Sequence, residues 1–122
     1  MPAQTKKKDL AAPVELNEVR LVGRVSEPEA RELPSGDTLV AFRVVVTRPP
    51  GREERSRATV DALECVAWTP RARRSVATWR PGDVVEVTGA LRRRFFTTGA
   101  GRVSRTEVEM TKGRILRRAR TG

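Results

Sequence analysis

Histidine is absent from this chain and cysteine occurs once, so the side chains that most often bind zinc or activate a nucleophile are nearly all missing. One thiol without imidazole cannot make a zinc site. Nor can Cys65 close an internal disulfide, which points to a reducing compartment, the cytoplasm by default, with the nucleoid as its place there. The thiol alternates inward along its strand, and no pair of carboxylates stands beside a plausible nucleophile, since Asp61 and Glu64 share a strand but not a face. Thr111-Lys112-Gly113 lacks the spacing and strand-to-helix setting of a phosphate-binding loop. An enzyme, a cofactor and a small-molecule substrate are therefore not expected. Lys6, Lys7 and Lys8 are followed by Asp9 rather than by the apolar segment of a secretory signal. No later run approaches the length of a membrane span, and no amphipathic basic helix or lipidation signal is found, so no membrane partner is expected. Internal repeats and low-complexity blocks are missing too.

What the chain has is positive charge. Its 122 residues carry 25 Lys and Arg against 15 Asp and Glu, a net +10, and a surface of that strength attracts a polyanion, nucleic acid first. The length suits one domain with one core. Residues 1–16 lack sustained periodicity and read as a flexible basic arm, residues 17–116 as the ordered domain, and residues 117–122, with Arg117, Arg118 and Arg120, as a short basic tail.

Within the domain, Glu18 to Val25 alternates with Val19, Leu21, Gly23 and Val25 on one face, as a half-buried strand does. After the turn cluster Leu33-Pro34-Ser35-Gly36-Asp37, Leu39 to Thr47 reads as a second strand expected to pair with the first as a hairpin. Arg48 to Arg57, rich in Pro, Gly and charge, is a loop long enough to bind. Ala58 to Trp68 is a third strand. Pro70 opens a helix continued by Ala72, Val76 and Trp79 and stopped at Pro81-Gly82. Asp83 to Arg94 is a fourth strand with Val85, Val87, Gly89 and Leu91 facing in, Thr97 to Gly101 a hairpin tip, and Val103 to Leu116 a fifth strand. Five strands with one helix between the third and the fourth is the order of an OB-fold, an all-β five-stranded Greek-key barrel.

Binding an exposed single strand requires cations for phosphates and flat rings for bases on one surface. Strand parity places Arg92, Arg94 and Phe96 opposite the inward residues of the fourth strand, and points Trp68 away from Leu63 and Cys65. If the third and fourth strands share a wall, Trp68 and Phe96 form two stacking platforms edged by arginine. Further arginines gather outside the strand cores: Arg48, Arg52, Arg55 and Arg57 in the loop, Arg71, Arg73 and Arg74 on the helix, and Arg102 and Arg105 past the hairpin tip. Phe42 and Trp79 fall on apolar stripes and are read as core. Phe95, on the opposite parity from Phe96, is read as packing inside or at a subunit contact.

From Asn17 to Leu116 the order of segments resembles the bacterial single-stranded DNA-binding protein family. The similarity lies in Asn17-Glu18-Val19-Arg20-Leu21-Val22-Gly23-Arg24-Val25, in Leu33-Pro34-Ser35-Gly36 with Val40-Ala41-Phe42, in Glu64-Cys65-Val66-Ala67-Trp68, and in Gly82 through Phe96. The resemblance implies that Trp68 and Phe96 stack on bases and that Arg92 and Arg94 contact the strand. It also implies a homotetramer, or a dimer if the likeness is to the primosomal relatives, and a role in replication, repair or recombination alongside proteins of those processes. Three departures stand out. Ala62 replaces a family tryptophan, Pro49, Pro50 and Gly51 offer no loop tryptophan, and the acidic, apolar C-terminal tip used for recruiting partners is missing from Ala119-Arg120-Thr121-Gly122. Two alternatives stay open: a tail-less primosome-type adaptor that holds DNA weakly while contacting another replication protein, and a binder of single-stranded RNA.

Overall fold

The computed structural model describes residues 14–26, 28–50 and 59–120. The described elements are β1 (Val19–Val25), β2 (Glu29–Glu32), β3 (Thr38–Thr47), β4 (Val60–Ala67), α1 (Pro70–Ala77), β5 (Val84–Thr98) and β6 (Gly101–Arg117). The sheet runs β1-β5-β6-β4-β3-β2, and a further β1–β3 pairing closes β1, β5, β6, β4 and β3 into a five-stranded barrel. The contact of β4 with β6 is parallel, at Cys65 with Val108 and Val66 with Glu109, and the other pairings are antiparallel. This is the OB-fold architecture, with its helix between β4 and β5.

Closure depends on β1 changing partner. It runs beside β5 from Val19 to Arg24 and meets β3 only through Arg24 and Val25, so the expected hairpin of the first two strands is reduced to its last two residues. Gly23 sits at that junction, where a Cβ would fall 2.4 Å from the Val45 carbonyl oxygen, so the strands cross too closely for a side chain. The turn at Leu33–Asp37 forms as expected, with Gly36 N–H donating to the Leu33 carbonyl at 2.8 Å and Gly36 at φ 94°, but it joins β3 to β2 instead of β1. β2 reads Glu-Ala-Arg-Glu and is exposed throughout. An edge strand without alternating apolar residues leaves no periodic trace in the sequence.

The core holds Val25, Phe42, Val44, Cys65, Ala67, Val85, Val87, Val108 and Met110, with Ala72, Val76 and Trp79 plugging one end. Thr69 starts the plug: its Oγ1 accepts from the Ala72 N–H at 3.1 Å, and Pro70 takes the first turn, where no N–H is needed. The helix ends at Ala77, before the expected Trp79, which packs edge-on against Phe42 with ring centroids 5.6 Å apart. Burial pushes the Cys65 thiol up to about 12, so it stays a protonated apolar filler at neutral pH.

Asp83 is a fully buried carboxylate at the same end. It accepts from Ala119 N–H at 2.7 Å, Arg80 N–H at 2.9 Å and Arg118 Nη1 at 2.9 Å, which fastens residues 118–119 to the barrel. The Ala119 and Arg80 amides, helped by Arg118, hold its pKa below the usual carboxylate value. A depressed folded-state pKa adds stability above the unfolded value of about 4 and loses it as pH falls through the folded one. Asp83→Asn is therefore expected to lower the urea midpoint at pH 7 and to flatten its decline below about pH 4; an unchanged midpoint at pH 7 would contradict this role.

Candidate nucleic-acid interface

Beyond Leu91, whose partner Val108 is the β6 residue nearest the hairpin tip that still pairs with β4, β5 and β6 leave the barrel as a two-stranded ribbon that stays paired to Thr98 and Gly101. Its two faces continue the barrel parity. One face carries Arg92, Arg94 and Phe96 on β5 opposite Glu107, Arg105 and Val103 on β6, and the other carries Leu91, Arg93 and Phe95 opposite Val108, Thr106 and Ser104. Leu91, expected to face in, is on the inward parity but 47% exposed: its β6 partner Val108 is still in the core, but the pairing of β5 with β1 ends at Gly89, so Leu91 lies at the open rim of the barrel. Asn17 holds it by its backbone, donating from Nδ2 to the Leu91 carbonyl at 2.7 Å and accepting from its N–H at 2.8 Å. Phe95 is 56% exposed, flanked by the guanidinium groups of Arg102 at 5.0 Å and Arg93 at 5.6 Å from its centroid.

Trp68 follows directly on the end of β4 and Phe96 lies on β5, and these strands are not neighbours, since β6 runs between them. Their rings nonetheless line one groove of about 260 Å³, with Arg94, Arg105 and Glu107 on the ribbon side and Arg31 and Leu33 at the other wall. Its floor is Leu39 and Val66, both buried on the face turned away from the core. The sequence offered a signal for this floor: each is an apolar residue on the outward parity of its strand, where polar residues are the rule.

Cations cover the rings. The Arg94 guanidinium lies 5.0 Å from the Trp68 ring and Arg105 lies 5.8 Å from Phe96, within the range of cation–π attraction. Arg94 Nε also donates to Glu107 Oε2 at 2.5 Å, and Arg92 Nε to Glu109 Oε1 at 2.9 Å. Glu107 is only 6% exposed, so its charge depends on Arg94 for compensation. The two acids were missed in the sequence because parity tells which face a residue occupies but not which diagonal neighbour it meets.

The other expected contacts are dispersed. Arg48 is held by Asp61, its Nη2 2.7 Å from Oδ1, and this hydrogen bond keeps the Asp61 pKa below its ordinary value. Arg52, Arg55 and Arg57 lie outside the described residues. Arg71, Arg73 and Arg74 sit on α1, and Arg102 beside Phe95; none of these four lines the groove. Among the described residues no group of three or more His, Cys, Asp or Glu could hold a metal ion.

Comparison with known proteins places this geometry. The model of the single-strand binding protein family matches residues 16–116. A solved structure described as Plasmodium falciparum SSB in complex with ssDNA is similar at TM-score 0.66 and 25% identity, covering 85% of this chain and 96% of that one. The mitochondrial single-stranded DNA-binding protein Rim1 of S. cerevisiae shares the fold at TM-score 0.64 and 14% identity, covering 87% of this chain and 100% of that one. No curated protein matches.

Proposed function

Because this chain belongs to the single-strand binding protein family, we propose that it binds single-stranded DNA without regard to sequence, and so protects strands exposed in replication, repair or recombination. Proteins of this family bind DNA and are not enzymes. The observation that carries the reading is the convergence of Trp68, Phe96, Arg94 and Arg105 on one groove with an apolar floor. Every base has a π-face, so stacking on rings tolerates any sequence, while guanidinium groups follow the phosphates.

Two features shape the binding. Bases reach Trp68 by displacing or overlying Arg94, and phosphates compete with Glu107 and Glu109 for the arginines. If Arg31, Arg92, Arg94 and Arg105 each meet one phosphate, log affinity falls against log salt with a slope of roughly −3, at about −0.7 per contact. Titration of intrinsic Trp fluorescence with oligothymidylate at several salt concentrations measures this, with duplex DNA and a matched RNA as competitors. Quenching that salt weakens and duplex fails to reverse is expected; a flat salt response would refute the mechanism.

A homo-oligomer, tetramer before dimer, is part of the proposal. What supports it is the edge of β1 from Val19 to Gly23, which faces away from β5 and is unpaired among the described strands. Sedimentation at two protein concentrations tests it.

A further inference from the structure

Resting on the reading above, we propose that the bound strand is gripped a second time, by a phosphate-binding cleft at the other end of the β5–β6 pair that takes a phosphodiester on Arg24, Arg117 and Arg120. The pairing registers bring these residues together from distant parts of the chain: Arg24 lies opposite Val84, and Val84 opposite Arg117. With Gly82 and Ala119 they border a cleft of about 290 Å³ whose lining contains no acidic residue and no aromatic ring.

The cleft is built rather than left by a loose tail. Asp83 fastens Ala119 and Arg118 from below, and Arg118 Nη1 also donates to the Thr78 carbonyl at 2.8 Å. Gly82, at φ 91°, brings its backbone so near that a Cβ there would lie 3.1 Å from the Ala119 Cβ. Arg118 is thereby neutralised by Asp83, while Arg24, Arg117 and Arg120 have no carboxylate partner among the described residues. In the groove, by contrast, two of the three arginines are paired with acids, Arg94 with Glu107 and Arg31 with Glu29. An anion that enters the cleft on Arg24, Arg117 and Arg120 breaks no ion pair among the described residues. Unpaired guanidinium groups without a stacking ring or an apolar floor suit the backbone of a nucleic acid rather than its bases.

About ten residues of β5 separate Val84 from Arg94, up to roughly 33 Å of strand at about 3.3 Å per residue. A short oligomer in the groove therefore leaves the cleft empty, and a long one reaches both. The test titrates the full chain, as wild type and as R24A/R117A/R120A, with oligothymidylates of about 6 and about 30 nucleotides, against OB-fold sites of about 4–16 nucleotides. Arg118 is kept because it holds the segment in place, and thermal melting verifies that the variant is folded. The expected result is unchanged affinity for the short oligomer, a tenfold or greater loss for the long one, and a salt slope for the long one smaller by about 2. The corresponding triple lysine variant should recover most of the loss. Equal weakening of both oligomers, or no weakening of the long one, overturns the cleft. Failure of the wild type to bind either oligomer would instead strike at the single-strand reading itself.

Discussion

Replacing both groove rings, Trp68→Ala with Phe96→Ala, is expected to weaken single-strand binding by roughly 2–6 kcal/mol, taking about 1–3 kcal/mol for each stacked base. Phe96 is the cleaner half of the experiment. It is 42% exposed on the ribbon, so Phe96→Ala should leave the melting temperature almost unchanged while lowering affinity some 5- to 150-fold. Trp68 is half-buried over Leu39 and Val66, and its removal also opens a gap beneath Arg94. Phe96→Leu separates the two sources of affinity, because leucine keeps apolar contact but offers no face for a base. Near wild-type affinity in the double alanine variant would remove the groove as the binding site. Arg94→Ala is the less informative substitution, since it strands the buried Glu107 without its partner and mixes lost binding with lost stability.

The second large effect concerns the fold. A Cβ on Gly89 would lie 2.0 Å from the Glu109 carbonyl oxygen and 2.8 Å from its carbon, and these are backbone atoms of β6 that cannot swing away. The β5–β6 register also shifts between Thr88 and Gly89, a bulge that bends the hairpin into the barrel wall. Gly89→Ala should therefore force β5 and β6 apart and cost about 3–5 kcal/mol, a large share of the roughly 5–15 kcal/mol that holds a domain of this kind together. Gly99→Ala at the hairpin tip serves as control. Its Cβ would meet nothing within 4 Å, and its effect should stay within about 0.5 kcal/mol. Urea denaturation of the two variants measures the difference, and equal midpoints would show that the close approach at Gly89 carries no strain.

Alternation was legible wherever one face of a strand is buried and the other wet. Val19, Leu21 and Val25, then Val85 and Val87, announced β1 and β5, and Pro70 with Pro81-Gly82 bracketed the helix. The same parity put Arg92, Arg94, Phe96 and Trp68 on outward faces, where the structure has them. Leu91 marks the limit of such reasoning: parity specifies a side of the sheet, but whether anything covers that side depends on where the barrel stops.

The sequence by itself determined the order of the five barrel strands and the helix, though not the edge strand β2, together with the inward and outward sets of side chains and the positive charge, because these follow from local periodicity and composition. Only the tertiary structure decided which strands meet. It sent β1 to β5 instead of into a hairpin with β3, set β6 between β4, which Trp68 follows, and β5, which carries Phe96, tied Arg92 and Arg94 to Glu109 and Glu107, and gathered Arg24 and Arg117 around Val84. Such pairings join residues tens of positions apart, and their energy comes from closing the barrel over a shared core. No local stretch of the chain contains that term.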